Sequence, residues 1–163
     1  MIAIVFGLPG SGKTYFATRL AKRLGWEYLG SDRLRKQLFT IIGYSPLEKN
    51  EVYQEMLIRM KKLAEQKRNV VIDACFNMEK SRQLFIREAD KIFFIEVKAS
   101  ESLIRARLDQ LRIDSEADFE VYNQIKMQWE AMETPHLLLV STETNIETML
   151  NQATEFLKLS HDQ

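Results

Sequence analysis

The sequence is poor in the residues that would anchor it by covalent or metal cross-links. It has one cysteine, Cys75, and two histidines in 163 residues. One thiol forms no internal disulfide and excludes a cysteine-rich zinc site, so a reducing cytoplasm is the expected setting. His136 and His161 stand far apart without companions at metal-ligand spacing, and read as structural or surface residues. Net charge is also missing, since 23 basic residues balance 23 acidic ones. That argues against tight binding of duplex nucleic acid, which draws on a basic excess. No apolar run approaches the roughly 20 residues that span a bilayer, so no membrane association is expected. The apolar opening Met1-Ile2-Ala3-Ile4-Val5-Phe6 lacks a basic leader and reads as a buried strand instead of a signal peptide. No repeat, low-complexity stretch or linker interrupts the chain. At 45% hydrophobic and 28% charged residues it has the balance of a soluble globular protein. A single domain over residues 1–163 is expected, as a monomer or weak homodimer.

What is present is an alternation of strands and helices. The unbroken apolar run Ile2–Phe6 suits a central parallel strand covered on both faces. Phe16, Ala17, Leu20, Ala21 and Leu24 recur at helical spacing, with Gly25 as a C-terminal cap. Trp26–Leu29 predicts a second strand, followed by a helix with Ser31 as N-cap running to Ile41. Ser45, Pro46 and Glu48 form a capping box with proline at the first helical position, for a helix to about Gln66. Asn69–Asp73 and Lys91–Val97 read as strands around a helix from about Met78 to Glu88. Ser100 opens a helix through Leu111, Ser115 with Asp118 opens another to about Met132, and these two form a lid over about 100–132. Leu137–Val140 is the last strand, and Thr144 with Glu147 boxes the last helix. The expected fold is therefore three-layer α/β/α: a five-stranded parallel sheet with right-handed crossovers and a helical lid.

Between the first strand and helix stands Gly7-Leu8-Pro9-Gly10-Ser11-Gly12-Lys13-Thr14, which matches G-x-x-x-x-G-K-[ST] in the required context. Glycines let the backbone turn tightly, so its N–H groups form an anion nest at the positive end of a helix. ATP with Mg2+ is the expected cofactor pair. Gly7, Pro9, Gly10, Ser11, Gly12, Lys13, Thr14 and Tyr15 are the expected nucleotide contacts, Lys13 reaching the β- and γ-phosphates and Thr14 the metal. Asp73 ends a strand at the ligand-facing edge, where it suits the metal's waters or the Thr14 hydroxyl; the plainer reading is a loop cap. Asp32 follows the second strand, and Arg35 lies one helical turn on. The pair suits proton abstraction from a hydroxyl and binding of an anionic acceptor group, or else only a favourable helix terminus. Of the lid arginines, Arg107 and Arg112 are candidates for stabilising a transferring phosphate, against the alternative of a solvated helix face. The aromatics Phe93, Phe94, Trp129 and Phe156 read as core.

With this loop, Asp32-Arg33-Leu34-Arg35, Val70-Val71-Ile72-Asp73 and an arginine-bearing lid in order, the chain resembles the small phosphate-loop kinases. Its nearest resemblance is to the polynucleotide-kinase-like group, often labelled AAA-type ATPases. The similarity extends over the chain, including Ser115-Glu116-Ala117-Asp118-Phe119-Glu120-Val121-Tyr122. It implies that Asp32 is the general base, Arg35 an acceptor-side cation, and Arg107 or Arg112 the lid arginine. Where many relatives carry threonine two residues after the strand-end aspartate, this chain has Cys75, which removes a polar contact near the acceptor. The expectation is a kinase moving the γ-phosphate of ATP to a hydroxyl of a small-molecule or nucleic-acid-end acceptor. The alternatives are a nucleotide-dependent switch or assembly ATPase, and a nucleotide-binding protein with little turnover.

Overall fold

The computed structural model describes residues 1–110 and 118–161. Strand β1 (Ile2–Phe6) leads to helix α1 (Lys13–Leu24), then β2 (Glu27–Gly30), α2 (Ser31–Leu38), α3 (Pro46–Glu65), β3 (Val70–Ala74), α4 (Glu79–Ile86), β4 (Ile92–Lys98), α5 (Glu101–Leu108), α6 (Phe119–Met127), β5 (Leu137–Val140) and α7 (Ile146–His161). Among the described residues, the five strands make one sheet in the order β2-β3-β1-β4-β5. Every neighbouring pair is parallel. All five C-terminal ends therefore share one edge, with β1 at its centre.

Side chains alternate across a strand, and the two faces of this sheet carry separate cores. Ile2, Ile4 and Phe6 of β1 pack with Val70, Ile72 and Ala74 of β3 under Leu34, Met56, Met60 and Phe85 from α2, α3 and α4. Ala3, Val5 and Val71 face the other way, against Phe16, Ala17 and Leu20 of α1 and Leu150, Ala153 and Leu157 of α7. The two tryptophans divide likewise: Trp129 packs on the first core and Trp26 on the second. A small satellite of Ile104, Leu108 and Tyr122, with Leu8 against it, joins α5, α6 and the glycine loop.

Element boundaries differ from the sequence reading in instructive ways. Strands β2, β3 and β4 each sit one residue later than expected, because pairing starts at Ile2, which fixes Val70 and Ile92 as its partners. Ser31 does not cap α2: the N-cap is Gly30, with no side-chain hydrogen bond, and the helix ends at Leu38 where Phe39 turns extended. Past it, Gly43 and Tyr44 donate their N–H groups to the Glu48 carboxylate at 2.8 and 2.9 Å. The predicted box at α3 thus has Ser45 accepting from Glu48 N, while Glu48 reaches back beyond Ser45 itself. Helix α4 is shorter than expected at both ends. Helix α7 starts at Ile146, so Asn145 and not Thr144 stands just before it: its carbonyl accepts from Met149 N, while its side chain bonds Thr142 N and Val140 O. Ser100 caps α5 and Asp118 caps α6. Helix α5 ends at Leu108, short of the expected Leu111, because Asp109 closes it with its N–H on the Arg105 carbonyl, and the Ser115 start lies outside the described residues.

Helix α6 stops at Met127, not near Met132, because the following segment leaves the helix to dock on the sheet. Trp129 stacks on Phe6 with ring centroids 6.0 Å apart. Glu130 N donates to Asn77 O at 2.8 Å, and the buried Arg82 donates to Phe76 O and to the carbonyls of Glu130 and Ala131. The fully buried Phe16 wedges α1 onto the sheet. Phe16→Ala is expected to cost about 3–5 kcal/mol in urea unfolding, whereas Ile41→Ala, at 86% exposure, should stay within about 0.5 kcal/mol.

Candidate active site

The glycine loop is held between β1 and the first turn of α1. A Cβ on Gly7 would lie 2.3 Å from the Val97 carbonyl oxygen, so nothing larger than glycine lets the turn lie on the end of β4. Gly12 is the N-cap of α1, left-handed at φ 93°, with no side chain bonded to the helix terminus and no acidic residue in its first turn. The positive end of α1 therefore faces the nest without an acidic residue of its own first turn. Lys13 is buried beside it, and the Ser11 hydroxyl is buried without a partner.

Asp73 has the parity of Val71, which aims its side chain at the face where α1 begins. There its Oδ2 accepts from the Thr14 hydroxyl at 2.6 Å and from the Tyr28 hydroxyl at 2.9 Å. Oδ1 is buried with no partner. Burial pushes the Asp73 carboxyl above its ordinary value, opposed by Lys13 and by the two hydroxyl donors. Because the Thr14 proton is committed to Asp73, the lone pairs of that oxygen are left for a cation.

Two cavities meet at Lys13 and Thr14. The first, of about 750 Å³, is bordered by Gly10, Gly12 and Tyr15 of the loop and α1, by Arg107 of α5, and by Ser141, Thr142 and Asn145 after β5. The second, of about 760 Å³, is bordered by Asp32, Arg35, Tyr44, Lys49, Tyr53, Asp73 and Cys75. Pro9, expected among the nucleotide contacts, borders the second cavity. Asp32 and Arg35 are joined at 2.7 Å as the helical spacing implies, and the buried Arg35 guanidinium lies 4.7 Å over the Tyr44 ring. Asp32 thus lines the cavity across Lys13 from the first one.

Arg107 sits on the other side. Its guanidinium donates to Gly10 O at 3.2 Å, to Ser141 Oγ at 2.9 Å and to Thr142 O at 3.3 Å, clasping the glycine loop to the β5–α7 loop. Burial lowers its pKa from the ordinary value, with Glu143 opposing. The structure therefore brings Arg107 to the first cavity and not to Asp32. Arg112 lies outside the described residues. Arg105, by contrast, pairs with Glu101 and covers Phe119 on the outer face of α5.

Sequence reasoning missed Tyr28, the β5–α7 loop, and Lys49. For Lys49 a signal existed: it shares the helical stripe of Tyr53, Met56 and Met60, all buried, so a lysine interrupts an apolar face. His136, read as structural, bridges Glu96 at 3.1 Å and Thr134 O at 2.8 Å beside the Phe6 ring. Among the described residues, no group of three or more His, Cys, Asp or Glu could hold a metal ion by itself, and no helix is long and apolar enough to cross a membrane.

Comparison with known proteins adds family and fold. A family model described as an AAA domain matches residues 2–133. A probable gluconokinase of Xenopus tropicalis is 39% identical over 51 residues, 31% of this chain and only 22% of that protein's length. Among solved structures, a gluconokinase from Sinorhizobium meliloti 1021 superposes with a TM-score of 0.76 at 16% identity, covering 98% of this chain and 93% of that one. A sugar kinase from Janibacter sp. HTCC2649 gives 0.76 at 17%, covering 96% and 94%. The Mycobacterium tuberculosis APS kinase in complex with AMPPNP and APS gives 0.73 at 17%, covering 96% of each. At these identities the structural likeness establishes the three-layer P-loop fold.

Asp73 makes a stability prediction whose sign follows from its raised pKa. The fold holds this proton more tightly than the unfolded chain, so ionising Asp73 costs stability. The cost is absent in acid, grows as pH rises from the ordinary carboxylate range toward the folded value, and is complete above it. Asp73→Asn should therefore melt higher than the parent at neutral pH, with the gap closing toward about pH 3. A parent protein that melts as high as the variant at neutral pH would contradict the assignment.

Proposed function

Given that this chain belongs to the AAA domain family, we propose that it is an ATP-dependent kinase that transfers the γ-phosphate of ATP to a hydroxyl of a small-molecule or nucleic-acid-end acceptor. One observation carries the reading: two cavities abut at Lys13 and Thr14, and a carboxylate, Asp32, lines the one away from Arg107. A switch or assembly ATPase has no need of a second chamber with a base in it. The kinase neighbours, whose names include gluconokinase and APS kinase, support a small-molecule acceptor. The Asp32–Arg35 pair supports the finer placement in the polynucleotide-kinase-like group.

In this mechanism the triphosphate lies along the glycine loop, with its base toward Tyr15 and Asn145. Lys13 contacts the β- and γ-phosphates. Thr14 and Asp73 are the residues for Mg2+, and the buried, unpartnered Asp73 Oδ1 is the observation that fits them to it. When bound, the ion screens charge on the phosphate oxygens. Arg107, drawn from Gly10 and Ser141, adds positive charge on the nucleotide side. The acceptor hydroxyl enters the second cavity and gives its proton to Asp32. Its oxygen attacks the γ-phosphorus as the bond to the β-phosphate oxygen breaks, and ADP leaves. Catalysis is positioning and electrostatics, without a covalent enzyme intermediate.

Asp32→Asn tests the assignment. Phosphorylation of an acceptor found by screening sugars, nucleosides, short oligonucleotides and small metabolites should fall by about 10²–10⁴-fold, with ATP affinity nearly unchanged. An undiminished rate would remove Asp32 from the chemistry. Lys13→Ala, as the control, should weaken nucleotide binding itself.

A further inference from the structure

The second cavity carries more cations than carboxylates. Its described lining carries the cations Lys13, Arg35, Lys49 and Lys80 against the carboxylates Asp32 and Asp73. Both carboxylates are already engaged, Asp32 by Arg35 and Asp73 by Thr14 and Tyr28. Lys13 serves the phosphate loop. That leaves Lys49 and Lys80 facing one chamber, from the N-terminal ends of α3 and α4.

Lys49 is held in a costly way. Its Nζ donates to the Asn77 side-chain oxygen and lies 5.6 Å from the Tyr53 ring centroid, so what it meets is a neutral amide and an aromatic face. Burial pushes the Lys49 ammonium below its ordinary value; a smaller upward pull from Cys75 is opposed by Arg35 and Lys80. A cation near a helix N-terminus also opposes the helix dipole. One further donor on a residue that borders the cavity, Arg35 Nε, is buried without an acceptor. A protein stabilises such an arrangement poorly by itself, and an incoming anion supplies the negative charge that Lys49 lacks and an acceptor on the Arg35 side.

We propose that the acceptor carries an anionic group, a carboxylate or a phosphate, held by Lys49 and Lys80 while its hydroxyl lies at Asp32. This rests on the kinase reading and narrows it to anionic acceptors, with Lys49 setting specificity from a position outside the phosphate loop.

The experiment fills the phosphate loop first, using the non-hydrolysable β,γ-imido analogue of ATP with Mg2+, so that an added anion finds its place elsewhere. Inorganic phosphate and acetate are then titrated separately by calorimetry. Saturable binding of phosphate alone identifies a phosphorylated acceptor, and binding of acetate as well identifies a carboxylate. In either case Lys49→Met should weaken binding by about 10-fold or more, the loss of one charge-assisted contact. Lys80→Met should weaken it too, which keeps the test open if one variant folds poorly. If the nucleotide analogue binds and neither anion does, or both variants bind anions as tightly as the parent, the inference falls and the kinase reading stands. If the analogue itself fails to bind, the kinase reading falls and takes this inference with it.

Discussion

A carboxylate removed from water at the end of β3, and held there by two hydroxyls, is the constraint on which the site depends. Asp73 reaches Thr14 only because its parity on the strand turns it toward α1, and because β3 lies next to β1. The bond between them ties the first turn of α1 to the sheet, and this turn also carries Lys13 and closes the nest at Gly12. Satisfied at one oxygen and bare at the other, Asp73 is a point where stability is lower so that a ligand's charge can be met.

How much of this was legible depended on whether the information was local. The glycine loop, β1 and α1 were readable to the residue, since a motif, an apolar run and a capping glycine fall within one short stretch. Asp32 with Arg35 followed from helical spacing. Boundaries of β2, β3 and β4 were off by one residue, because register is decided by Ile2 on another strand. Ser31 failed as a cap for a related reason: Gly30 had already taken the extended conformation that precedes the helix. Tyr28 as a partner of Asp73 and the clasp of Arg107 on Gly10 span 45 and 97 residues of sequence, and no local pattern announces them.

The two cavities are unequal in how they are built. The first cavity is built around the glycine loop, the start of α1 and the loop after β5, and the loop motif marks its position in the sequence. The second cavity is assembled from α2, α3, α4 and α6, and its lining holds charges among apolar neighbours. Lys49 on a stripe with Met56 and Met60 is the kind of residue that breaks a packing rule, and such breaks tend to mark where a chain is used.

The separation of the two cores by the sheet has a practical side. Trp129 rests on Phe6 against one core, and Trp26 packs on the other. These are the two indole chromophores of the chain. Replacing either with phenylalanine leaves a protein whose fluorescence reports a single layer, so the order in which the layers come apart in denaturant becomes an optical measurement with no label attached.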